Sequence, residues 1–115
     1  MIQDCYSLLI STSTFNNNGS RGMDLLGNSR GLVFDGCYTN ANNDDGINIG
    51  GTCSAINITD CVVSRNDAKG LDIESSGVLS VVTDSCTIPA NGQDGIDYAG
   101  HEKRAPNCIV TYNGG

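Results

Sequence analysis

A chain of 115 residues carrying a formal charge of −7 is the size of one domain with a modest core, and its acidity argues against a nucleic-acid surface. Glycine (15) and asparagine (13) are abundant while Ala, Leu, Glu and Lys are scarce, so turns are well supplied and long helices are not. No apolar run approaches the roughly 20 residues of a membrane span, and Met1-Ile2-Gln3-Asp4 does not open a signal peptide.

Taken in chain order, the first segment places Leu8 and Ile10 in a short alternating strand ahead of Gly22. From there the chain repeats. Gly22, Gly46, Gly70 and Gly95 are spaced by 24, 24 and 25 residues, a period that calls for a solenoid reading. Four residues before each glycine stands Asn18, Asn42, Asn66 or Asn91. Directly after each comes Met23, Ile47, Leu71 or Ile96, and two residues further Leu25, Ile49, Ile73 or Tyr98. Apolar residues around one polar residue make a short strand buried on one face. A second strand follows at Leu32 and Phe34, then Ile56 and Ile58; in the third line an insertion leaves Val81 to pair with either Leu79 or Thr83. A third strand carries Cys37, Cys61 and Cys86, each followed two residues later by Thr39, Val63 or Ile88.

Three short strands per 24 residues, without helices between them, predict an all-β right-handed single-stranded parallel β-helix. Its four to five coils of about 24 residues would form a single domain over residues 1–115. Coils stack about 4.8 Å apart, so each column becomes a file of like residues. The asparagines then form an amide ladder at a turn, and the glycines occupy a turn or a place where a Cβ would not fit. The cysteine column reads as a buried, apolar thiol stack; Cys5 and Cys53 share another column, and Cys108 falls outside both. No CxxC is present, which disfavours zinc.

The recurring pattern of Asn, three residues, Gly-Ile, one residue, Ile resembles the pectate-lyase-like right-handed β-helix superfamily, which includes polygalacturonases, pectate lyases, alginate epimerases and phage tailspike depolymerases. The resemblance implies a carbohydrate-active protein, a polysaccharide lyase or glycoside hydrolase whose parent works outside the cell or on a virion. Its alternative is a non-catalytic module that binds polysaccharide or spaces other domains, as in a tailspike shaft or adhesin. Asn43-Asp44-Asp45-Gly46-Ile47 is similar to the paired-aspartate motif of polygalacturonases. Arg21 and Lys69-Gly70 stand where that family has a further aspartate and a histidine.

Two neighbouring columns hold the residues that could do chemistry. One is outward-facing: Asp24, Asn48, Asp72 and Asp97. Carboxylates stacked about 5 Å apart raise one another's pKa and call for a cation or a purpose. The other precedes the glycine and alternates in sign: Arg21, Asp45, Lys69 and Asp94. An exposed salt-bridge ladder is its plain reading. In the functional reading Asp72 and Asp97 have the separation of a retaining pair, about 5 Å, while Asp45 and Asp94 approach that of an inverting pair. Asp24, Asn48, Lys69, Arg21 and His101 would bind substrate, and a lyase would use Lys69, Arg21 or a bound Ca²⁺ to neutralise charge. His101, the single histidine, lies in the polar excursion Gly100-His101-Glu102-Lys103-Arg104, where an exposed loop side chain is the plain alternative. No cap is evident at either end, so self-association or a longer parent chain is expected.

Overall fold

The computed structural model describes residues 1–74, 77–98 and 105–114. Among them are fourteen strands and no helix. The first coil contributes β1 (Ile2–Gln3), β2 (Leu9–Ser11) and β3 (Thr14–Asn16), and the second β4 (Met23–Leu26), β5 (Arg30–Asp35) and β6 (Tyr38–Asn40). The third contributes β7 (Ile47–Ile49), β8 (Ser54–Thr59) and β9 (Val62–Ser64), and the fourth β10 (Leu71–Ile73), β11 (Leu79–Asp84) and β12 (Thr87–Pro89). Beyond these lie β13 (Ile96–Asp97) and β14 (Ile109–Thr111).

Each strand pairs in parallel with its counterpart one coil away, giving a first sheet β1-β4-β7-β10-β13, a second β11-β8-β5-β2 and a third β14-β12-β9-β6-β3. The register aligns the sequence columns: Met23 faces Ile47, Ile47 faces Leu71, and Leu71 faces Ile96. It also resolves the ambiguous third line, because Val81 lies opposite Ile56 and Thr83 opposite Ile58. Leu25, Leu32, Phe34, Ile47, Ile49 and Ile56 have no exposed surface. They fill the space enclosed by the three sheets, burial that supplies the main favourable term in folding.

The amide ladder runs through the stack. Asn42 Nδ2 donates to Asn66 Oδ1 at 2.8 Å, Asn66 Nδ2 to Asn91 Oδ1 at 2.9 Å, and Asn91 Nδ2 to Asn113 Oδ1 at 3.0 Å. Each Oδ1 also accepts the backbone N–H of the preceding asparagine, as Asn66 Oδ1 does from Asn42 at 3.1 Å. Asn113 therefore extends the ladder by one residue. The glycine column is a packing requirement: a Cβ on Gly46 would stand 2.6 Å from Asn66 Nδ2 and 2.8 Å from the Gly70 carbonyl oxygen. The ladder amide occupies the room that the missing side chain leaves.

The cysteine column needs a correction. Cys108 does not fall outside it, because the Cys86 N–H donates to Cys108 Sγ at 3.4 Å and Thr87 pairs with Ile109. Four thiols are thus in file, with the Cys37 N–H on Cys61 Sγ at 3.4 Å and Cys61 Sγ–H on the Thr59 carbonyl at 3.2 Å. All six cysteines are free. Burial pushes the Cys37 thiol up, while the hydrogen bond between Cys61 and Cys86 raises Cys86, with burial adding to it, and lowers Cys61 to about 7. Cys5 and Cys53 share a column, as expected, with Ser29 between them: Ser29 Oγ accepts the Cys5 N–H and the Ser29 carbonyl accepts the Ser54 N–H.

Corners recur as regularly as the strands. Positive φ values, 50° to 68°, occur in files: Asp4, Gly27 and Gly51; Ser7, Gly31, Ala55 and Ser80; Thr12, Gly36, Asp60, Ser85 and Asn107; Asn17, Ala41, Arg65, Ala90 and Tyr112. A left-handed residue breaks the extended chain and redirects it, at about 1–2 kcal/mol where the residue is not glycine. Corner amides recover part of that cost by donating to the next coil, as Thr12 does to Asp35 at 2.9 Å and Ala41 to Ser64 at 3.2 Å.

Candidate functional site on the first sheet

The first sheet alternates its side chains, so β4 turns Met23 and Leu25 inward and Asp24 outward. Register then places Asp24, Asn48, Asp72 and Asp97 in one outward file. Arg21, Asp45, Lys69 and Asp94 form the adjacent file, because the N–H groups of Gly22, Gly46 and Gly70 donate to the carbonyls of Asp45, Lys69 and Asp94. Eight of the nine sequence-derived candidates are therefore brought together on one face; His101 lies outside the described residues.

Two cations organise the carboxylates. Lys69 Nζ bridges Asp72 Oδ1 at 3.0 Å and Asp97 Oδ2 at 2.7 Å. Its hydrogen bond to Asp97, assisted by Asp72, holds the ammonium well above its usual pKa against the opposing effect of burial. Lys69 is consequently a fixed positive charge and a poor proton acceptor. Arg21 meets Asp24 and Glu74 at 3.4 Å, Asp45 at 3.5 Å and Asp44 at 3.7 Å. Burial opposes its charge, but the four carboxylates outweigh that and raise its pKa.

Asp45 is buried, with its Oδ1 accepting the backbone N–H of Lys69 at 3.0 Å. Burial, with Asp44 and Asp72 adding repulsion, raises its pKa although the Lys69 N–H and Arg21 pull the other way. Asn48 has no exposed surface; its Nδ2 donates to Asp24 Oδ1 at 2.8 Å, whereas its Oδ1 has no hydrogen-bond partner. An orphaned buried acceptor costs about 1–3 kcal/mol.

Glu74 was not among the sequence candidates. It stands two coils from Arg21, and Gly50 explains its reach: a Cβ there would lie 3.3 Å from the Glu74 carboxyl carbon. Without a side chain at 50, Glu74 lies across the intervening coil to Arg21. The signal available in the sequence was a glycine one coil before a glutamate in the same column.

Among the described residues no three carboxylate, thiol or imidazole groups converge to hold a metal ion. A charged double file along a parallel solenoid with an asparagine ladder defines the class: a β-helix with a cluster of ion pairs on its first sheet. The model for the right-handed β-helix region matches residues 1–115, and the chain belongs to that family. No curated protein and no solved structure matches it.

Proposed function

We propose that the first sheet is a polysaccharide-binding face and that the chain acts as a non-catalytic binding segment of a β-helix protein. The carrying observation is the bridging of Asp72 and Asp97 by Lys69 at 3.0 and 2.7 Å. A retaining hydrolase sets two such carboxyl groups on either side of a substrate, whereas here one side-chain ammonium stands between them and hydrogen-bonds both. The resulting row of ammonium, guanidinium, carboxylate and amide groups offers donors and acceptors alternately. Sugar hydroxyls, which both donate and accept, are suited to that row. Resemblance to the pectate-lyase-like and tailspike proteins supports the same ligand class, but the net charge of −7 opposes polyuronates.

Affinity electrophoresis through gels containing a neutral glucan, an amine-bearing glycan or polygalacturonate tests this. Retardation by one of the first two, lost in Asp72→Ala and in Asp97→Ala, is expected. Migration unchanged in all three gels overturns the proposal.

A hydrolytic reading is favoured by one feature, the buried Asp45 carboxyl whose pKa is raised, since a general acid must hold its proton near working pH. Release of reducing ends that disappears in Asp45→Asn would establish it, with Asp72, Asp97 and Asp94 as the further carboxyl groups to test.

A further inference from the structure

We infer that the glycan taken by this face bears amines and that one ligand ammonium sits between Asn48 and Asp72. The inference rests on the binding reading above and names its substrate class. Asp24, Asn48, Asp72 and Asp97 are in register on successive coils, and because every member carries a side-chain oxygen, a gap between two of them is satisfied by a donor or a cation. In the first gap Asn48 Nδ2 donates to Asp24 Oδ1 at 2.8 Å. In the third, Lys69 Nζ bridges Asp72 and Asp97. The second gap has neither.

Because Nδ2 is committed to Asp24, Asn48 Oδ1 is turned away from that coil, to the side where Asp72 stands. It is buried and unpartnered. Lys69 demonstrates what chemistry the face accepts, since a primary ammonium has three N–H donors and no acceptor. A ligand ammonium in the second gap would repeat for Asn48 and Asp72 what Lys69 does for Asp72 and Asp97.

Charge favours the same ligand. Asp24, Asp44, Asp45, Asp72, Glu74, Asp94 and Asp97 against Arg21 and Lys69 leave this face −5 of the chain's −7, a field that gathers polycations and repels polyuronates. A calcium ion asks for six to eight oxygen ligands, and no three acidic groups converge among the described residues. An organic ammonium needs only two or three acceptors. The Arg21–Glu74 pair spans the coil that carries Asn48; with side chains 30% and 40% exposed, these two are the groups that part to admit it.

Isothermal titration of the 115-residue chain with a fully deacetylated chitosan hexamer, its N-acetylated counterpart and cellohexaose, at slightly acidic pH and low salt, is the test. The deacetylated hexamer is expected to bind at least tenfold more tightly than the other two. Asn48→Leu and Asp72→Asn should each weaken it about tenfold, with folding checked by circular dichroism; Asp72→Asn, on the outward file, serves if Asn48→Leu fails to fold. Equal affinity for the acetylated or neutral hexamer overturns the amine assignment but leaves the glycan-binding reading standing. No binding to any hexamer removes both. Calcium chloride alone binding with an affinity that Asn48→Leu abolishes would reassign the gap to a metal and overturn the inference, as would undiminished hexamer binding by a folded Asp72→Asn.

Discussion

Thr39 and Thr83 each bury a hydroxyl oxygen that has no hydrogen-bond partner, at 1% exposure apiece. Thr39 stands in the inward file between Phe15 and Val63, an apolar setting in which a hydroxyl loses its water and gains nothing. Thr39→Val keeps the shape and removes the polar atom, so it is expected to stabilise the chain by about 1 kcal/mol, about 4 °C in Tm; an unchanged or lowered melting temperature would contradict this. Asp45 poses the opposite problem. Its folded pKa lies above the ordinary 3.8 because burial disfavours the charge. The folded state therefore keeps that proton to higher pH than the unfolded state does. Stability contributed by the neutral carboxyl is lost as pH rises from 3.8 through the folded value. Asp45→Asn should flatten the fall in denaturation midpoint across that window, and a slope equal to wild type would show that Asp45 does not titrate as described.

At the scale of the element, the asparagine ladder ties successive coils at a corner by paired side-chain and backbone bonds. Asn66 accepts both the N–H and the Nδ2 of Asn42 while donating to Asn91. Asn66→Ala orphans those donors inside the protein, with an expected loss of about 3 kcal/mol. Asn18, exposed on the first coil, donates without a preceding asparagine to serve, so Asn18→Ala should cost about 1 kcal/mol; urea denaturation of the two variants measures the contrast, and equal losses would refute a position-dependent ladder. These columns were legible in the sequence because a parallel stack keeps one residue type at one height, and asparagine and glycine are each demanded by contacts with the next coil. Cys108 and Asn113 were not, since the last repeat closes in 22 residues between ladder members, which breaks a count of 24 or 25. The corners were hidden for another reason. Their files mix Asp, Ser, Thr, Asn, Gly, Ala, Arg and Tyr: the left-handed turn is imposed by stacking and hydrogen bonding, not by a residue preference. The charged face was legible as two columns, yet the tie from Arg21 to Glu74 across Gly50 was not, because it skips a coil.

Over the whole molecule, 32 × 26 × 23 Å, each coil pairs its strands only with those of its neighbours, so stability accumulates along one axis chiefly as a series of interfaces. Burial follows that axis. In the inward file of the third sheet Val63 and Ile88 are 1% exposed, whereas Val110, next along that file, is 42% exposed, and at the other end inward Ile10 is only half-buried. Local opening is governed by the apolar contacts and backbone bonds that must be broken. Amide hydrogen exchange of this 115-residue chain is therefore expected to be slowest at Ile47–Ile49 and Ile56–Ile58 and to quicken towards β2 and β14. Shortening a central side chain breaks interfaces on both of its sides. Ile49→Ala, at a fully buried site, should cost about 3–4 kcal/mol and accelerate exchange in every coil, while Ile10→Ala, half-buried in the first coil, should cost about 1–2 kcal/mol and accelerate exchange chiefly there. Equal acceleration of all amides by both substitutions would mean that the coils open as one unit and that the nearest-neighbour description fails for this chain.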